Sequence, residues 1–314
     1  MSRIKHGFTL IELAIALAIV ALLLGGLSVP LSKRITEQQY TETQITIAKA
    51  MDALVGYAAI NGRLPCPDVD TVAGVTDNRD GLEDTWPLAG PATVCHAGLG
   101  ANTQSDPNGA SWGDLPWRTL GLTAPNNADA WNNRLRYAVF TPLASQTGVV
   151  VSVFTPTGAC GGNVGVANLS CAVQRIPNVA GQVSAHLDIR CANPNTPPTA
   201  AAPDCFPIPP TAGTLYSVSQ NAAFVVYSLG SNAFGATNIN DVTNQTQIPA
   251  GIPADEAANL PEQESLIQNR RMFVMRNRTE TTSQAGGYDD LLSYMSMTSL
   301  ATKLLNAGVW PVQQ

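Results

Sequence analysis

The chain has 314 residues, 45% of them hydrophobic and only 13% charged, with 26 Gly and 22 Pro. That hydrophobicity excludes a disordered chain, the length asks for one large domain or a domain with an appendage, and a net charge of -6 gives no general attraction to nucleic acid or anionic lipid. Three His, and a single Lys after residue 62, speak against a catalytic interior.

Residues 1–7, Met-Ser-Arg-Ile-Lys-His-Gly, are short and basic, and Phe8 to Leu31 are then apolar but for Glu12. A helix of that length covers about 36 Å at about 1.5 Å per residue, enough to cross a hydrocarbon core of about 30 Å with some tilt. The basic side stays cytoplasmic and places the rest of the chain, beyond the span, outside the cytoplasm. An ordinary secretory signal has a shorter apolar run and a small-x-small cleavage site; here the run ends around Ser28 and Pro30 without one. A carboxylate near the end of a bilayer span costs a few kcal/mol unless it is paired or neutralised, so Glu12 calls for a partner.

Gly7-Phe8-Thr9-Leu10-Ile11-Glu12-Leu13, behind the basic leader, resembles the class III signal of type IV pilins and of the pseudopilins of type II secretion. The resemblance implies that a membrane prepilin peptidase cuts after Gly7 and methylates Phe8. It also gives Glu12 a partner, the α-ammonium of Phe8 on a neighbouring subunit, attracted strongly in a low-dielectric filament interior. The alternative is a plain single-span anchor. The implied organisation is a leader at 1–7, the transmembrane half of a long helix at 8–31, its amphipathic half at 32–61, and a disulfide-bonded ectodomain at 62–314.

Along the amphipathic half Ile47, Met51, Leu54 and Ala58 recur at helical spacing, and Asn61-Gly62 supplies a stop. Gly25-Gly26 and Pro30 mark a place for a kink or local melting, or a simple break at the membrane exit. Beyond residue 62 short apolar runs alternate with turn residues. Leu135 to Phe140, Val149 to Phe154, Ala222 to Leu229 and Arg271 to Met275 read as strands, and Tyr288 to Asn306 as a final helix. Seven prolines between Asn193 and Pro210 read as a surface excursion or hinge. The expected fold is α+β, with the long helix packed on a mostly antiparallel sheet, a loop-rich ectodomain and a C-terminal helix.

Looser likenesses to the same family occur further along the chain. Asn61-Gly62-Arg63-Leu64-Pro65 resembles the helix exit of major pseudopilins, and Asp129 to Tyr137 their Asp-x-Trp-Gly strand start, with Asn132 in place of Gly. Tyr227-Ser228-Leu229-Gly230-Ser231-Asn232 resembles their Tyr-Ser-Leu-Gly-Ala-Asp loop, which leads into a calcium site. Here Asn232 replaces the usual Asp, and the acids at hand are Asp241, Asp289 and Asp290. Their roles divide between calcium ligands and turn-capping or helix-start charges.

Cys66, Cys95, Cys160, Cys171, Cys191 and Cys205 all lie after the span, on the oxidising side, and read as disulfides. Their connectivity stays open; proximity favours Cys66–Cys95, Cys160–Cys171 and Cys191–Cys205. No nucleophile elbow, Walker loop, dinucleotide fingerprint or zinc-protease helix occurs, and His6, His96 and His186 stand in no catalytic pattern. The expectation is a protein without enzymatic activity or a catalytic cofactor. Arg270, Arg271, Arg276 and Arg278 surround Met272 to Met275. They fit either a solvated strand edge or contacts to DNA phosphates, although alternation along a strand divides the charges between its faces.

Two functions are consistent with the resemblance. One is a structural minor pilin or pseudopilin, partnered by prepilin peptidase and other pilins, held in the bacterial inner membrane by a single pass with a periplasmic ectodomain. The other is a pilus-displayed adhesin or DNA-binding subunit. About 250 residues outside the helix are bulky to repeat at every filament position, which favours a minor subunit. The presence of Glu12 argues against the tip pseudopilin, which generally lacks that acid.

Overall fold

The computed structural model describes residues 10–61, 63–69, 79–86, 94–95, 110–140, 187–191, 217–240, 254–260, 266–267, 270–279 and 287–308. The chain divides into two compact units, residues 1–42 and 43–314. The expected strand at Val149 to Phe154 and the proline-rich segment lie outside the described residues.

Helix α1 runs Leu10–Asn61. Leu and Ala, both strong helix formers, dominate its first half, and Glu12 sits in the first turn, where the helix dipole favours an acid. The backbone of the single chain remains helical through Gly25, Gly26 and Pro30. In the first unit Leu10, Ile11, Leu13, Ile15, Leu17 and Ile19 are all exposed. Among the described residues no helix is long and apolar enough to cross a membrane; the side chains of 21–31, within the expected span, lie outside them.

In the second unit α1 buries Thr43, Ile47, Ala50, Met51, Leu54 and Ala58, the stripe that a helical period places on one face. The Asn61 side chain donates through Nδ2 to the Tyr57 carbonyl at 3.0 Å and closes the last turn. Just beyond, the guanidinium of Arg63 grips both oxygens of Glu83 at 2.6 and 2.7 Å, joined by Tyr57 Oη at 2.9 Å and the Cys66 amide at 3.0 Å. Burial pushes the Glu83 carboxyl up, but Arg63 and these donors more than offset it and hold it below its ordinary range. Cys66 is disulfide-bonded, and no cysteine among the described residues is free.

Strands β1 (Thr85–Trp86) and β2 (Val94–Cys95) form a small hairpin that sets Thr85 opposite Cys95. The main sheet contains β3 (Ala110–Asp114), β4 (Arg136–Phe140), β5 (Leu187–Cys191), β6 (Ser217–Ser228), β7 (Leu266–Ile267), β8 (Arg270–Met275) and β9 (Leu291–Ser296). Its order is β3-β4-β6-β5-β8-β7, with β9 also on β6. The β5–β8 pair is parallel and the other pairs are antiparallel. Both β4 and β9 pair with residues 224–227 of β6, so they flank it on opposite edges.

Ala222 to Tyr227 of β6 are fully buried. Such a continuous apolar run belongs to a strand covered on both faces. One face gathers Trp112, Ala138, Val225, Tyr227, Ile189 and Phe273, with Leu292 and Tyr294 packed against them. The other carries Tyr137, Val139, Phe224 and Val226, also fully buried.

The expected helix over Tyr288 to Asn306 is corrected: Leu291–Ser296 is β9, and only Met297–Asn306 is helical, as α3. Leu292 and Tyr294 alternate onto the core side, and the pairing with β6 outweighs local helix preference. Ser296 marks the switch, its Oγ accepting from the Ser299 amide as an N-cap. Helix α3 lies against β6 and β9, and Lys303 reaches Asp52 of α1 at 3.5 Å.

Candidate functional site

Two of the stretches picked out in the sequence meet at the end of β6. Asp129, buried before β4, accepts at Oδ1 from the Trp131 and Asn133 amides, both at 2.9 Å, and at Oδ2 from Ser228 Oγ at 2.7 Å. Burial pushes its carboxyl up, and these donors offset that only in part. Asn132 has φ 65°, a left-handed conformation that Asn tolerates better than most residues, so it fills the place of the family's Gly without changing the turn. Ser228 Oγ in turn accepts from the Gly230 amide at 3.1 Å.

Gly230 opens the next turn at φ +66°, and a Cβ there would lie 2.5 Å from the Asp289 carbonyl oxygen. Only glycine allows both the conformation and the approach. The approach brings Asp289 Oδ2 to Ser231 Oγ at 2.6 Å and to the Asn232 amide at 2.8 Å. Asn232, standing where the family has an acid, acts as a donor: its Nδ2 reaches Glu256 Oε1 at 2.9 Å.

Glu256 comes from a short helix, α2 (Ala254–Asn259), and its Oε1 also accepts from the Asp289 amide at 3.3 Å. Asn259, one turn on, holds the segment to β8: its Oδ1 accepts from the Val274 amide at 2.8 Å and its Nδ2 donates to Asp290 Oδ2 at 2.9 Å. Glu256, Asp289 and Asp290 each present an oxygen, and the three lie within 4.8 Å of one another. Burial, with Asp289 alongside adding to it, pushes the Glu256 carboxyl up to about 7. Burial, with the charges of Glu256 and Asp289 adding to it, pushes that of Asp290 well up, and the Asn259 hydrogen bond and then Arg276 draw it back only partly.

Asp289 and Asp290 thus precede a strand and do not start a helix. The structure brings them together with Glu256, which no local pattern in the sequence singles out because it lies more than thirty residues away. Asp241 lies outside the described residues. The calcium that the resemblance implies needs oxygen ligands only, and the site offers them. Asp289 Oδ1, shut off from solvent, has no hydrogen-bond partner. In this arrangement Glu256, Asp289 and Asp290 would hold the ion, which would supply charge neutralisation.

The arginine cluster divides. Strand β7 pairs with Arg270 and Arg271 of β8 only, and Asn259 bonds the backbone of Val274 further along. The Arg276 side chain is buried, 3.3 Å from Asp255 and with its guanidinium 4.8 Å from the centre of the Tyr288 ring. It is thereby withdrawn from any surface for DNA. Arg278 is exposed, and the side chains of Arg270 and Arg271 lie outside the described residues. So do Gly7, Phe8, Cys160, Cys171, Cys205 and the three His, while Glu12 is exposed near the start of α1 and Cys191 ends β5.

Residues 2–28 match the family model of the prokaryotic N-terminal methylation motif. They are therefore the class III signal of type IV pilins and pseudopilins, which makes the chain a pilin-like substrate of prepilin peptidase. The motif carries with it assembly with other pilins and a membrane-anchored or pilus-associated location. No curated protein and no solved structure matches the chain.

Proposed function

We propose that the chain is a structural, non-enzymatic minor pilin or minor pseudopilin of the bacterial inner membrane. Cleavage after Gly7 leaves N-methyl-Phe8 at the start of α1, residues 8–31 cross the membrane once, and the ectodomain stands in the periplasm. Glu12 pairs with the Phe8 ammonium of the adjoining subunit when the chain enters a pilus or secretion pseudopilus. In the same reading the six cysteines form disulfides there. The hairpin of β1 and β2 supports Cys66 with Cys95: it sets Cys95 opposite Thr85, close in the chain to the Glu83 that holds the Cys66 amide.

The methylation motif at residues 2–28 carries the proposal. A helix of 52 residues, with its apolar side chains exposed from Leu10 to Val20, supports it: such a surface requires lipid or neighbouring helices. Mass spectrometry of the mature protein is expected to find N-methyl-Phe8 at its start, and a chain still beginning at Met1 would refute the reading. Glu12→Ala should be processed normally yet enter filaments at a small fraction of the wild-type level. Unchanged incorporation, measured by immunoblot of sheared filaments, would remove the pairing role.

A further inference from the structure

We propose that Lys33 and Arg34, exposed on α1 just past its apolar run, bind the headgroup phosphates of anionic phospholipids on the periplasmic face of the membrane and so fix the depth at which the helix sits. The proposal rests on the reading that residues 8–31 cross the membrane.

From Leu13 to Ser32 the sequence carries no charge, and α1 is continuous through that stretch. At about 1.5 Å per residue it covers about 30 Å, the thickness of a bilayer's hydrocarbon core. The first charges after it therefore emerge at the level of the headgroups. Both are cations, both are exposed, and neither has an ion-pair partner among the described residues.

Side chains on a helix lean towards its N-terminus, here towards the bilayer. The long stems of Lys and Arg let the charged head reach the interface while the methylenes stay beside apolar groups. Arg34 offers a planar fork that takes two phosphate oxygens at once, and Lys33 a compact single charge. Consecutive helical residues are turned about 100° apart, so each cation meets a separate lipid. Ile35, 48% exposed, adds an apolar side chain where the headgroups meet the acyl chains. The next charges along the helix have the opposite sign. Glu37 and Glu42 are exposed, and anionic headgroups repel them, so the two cations draw the helix in and the acids limit how far it enters.

The test uses the full chain in a neutral detergent with equal amounts of phosphatidylglycerol and phosphatidylcholine, and native mass spectrometry counts the lipids retained. Phosphatidylglycerol is expected to be retained in preference, and Lys33→Gln combined with Arg34→Gln should lower that preference at least about fivefold. Lys49→Gln combined with Lys303→Gln removes two exposed cations elsewhere and should leave it unchanged. The leader cations are present in every variant, so the difference reports Lys33 and Arg34 alone. An unaltered preference in the first variant, an equal loss in the second, or displacement of the lipid by inorganic phosphate at the same concentration would each overturn the proposal. Alkaline carbonate extraction of membranes from expressing cells separates it from the reading beneath it. A chain that stays with the membranes yet shows no preference for phosphatidylglycerol refutes the lipid site alone, whereas a chain released into the supernatant refutes the span and the site together.

Discussion

Gly230 and Asn132 share a left-handed backbone but meet different surroundings. A methyl group on Gly230 would strike the Asp289 carbonyl oxygen at 2.5 Å as well as strain a φ of +66°, so Gly230→Ala is expected to cost at least about 2 kcal/mol. Asn132, exposed at φ 65°, should accept Gly with a change within about 0.5 kcal/mol and lose about 1 kcal/mol as Ala. Urea unfolding of the variants measures both, and equal losses at the two positions would contradict the distinction. These positions were legible because a left-handed turn restricts residue choice locally. Glu256 was not, because its role arises only when α2 is folded against the turn and the start of β9. Nothing within a few residues of it distinguishes it from a surface acid.

At the scale of elements, the same division separates α1 and β6 from β9. Ile47, Met51, Leu54 and Ala58 repeat at a period that admits one reading, and the buried stripe follows it. The run from Ala222 to Leu229 is long, apolar and β-branched in part, as a strand covered on both faces must be. Leu291 to Ser296 carries a mixed pattern with adjacent leucines that also suits a helix. It becomes a strand because β6 presents a second edge, a partner more than sixty residues away. The local clue was Ser296, whose side chain caps α3 at the Ser299 amide. Ser296→Ala should therefore lower stability by about 1 kcal/mol while leaving strand content unchanged. Circular dichroism with thermal melting checks this, and an unchanged melt would show that the cap contributes nothing.

At the scale of the molecule, the strongest sequence signal and the largest sheet lie in different units. The methylation motif is readable because a peptidase must recognise it in a linear segment: a basic leader, Gly7, Phe8 and Glu12 carry it without any tertiary contact. The sheet carries no such linear code. Its order interleaves strands from distant parts of the chain, and β3 and β5, short and ordinary in composition, acquire their identity from β4, β6 and β8. That is why the α+β class could be read, while the parallel β5–β8 pair and the carboxylate cluster could not.

The placement of β9 has a consequence for the order in which the protein is made. Synthesis delivers β6 some sixty residues before β9 and α3, so until β9 follows, one edge of β6 lacks its partner strand. The β9–α3 segment therefore acts as a closing piece, completing the β6 edge and bringing Lys303 to Asp52 of α1. Until it emerges, an apolar strand with an open edge is exposed to wrong pairing. A chain ending before Leu291 is expected to accumulate as aggregates even with its membrane signal intact, which fractionation of cells expressing it would show; a soluble, protease-resistant product would mean that the sheet closes without its last strand.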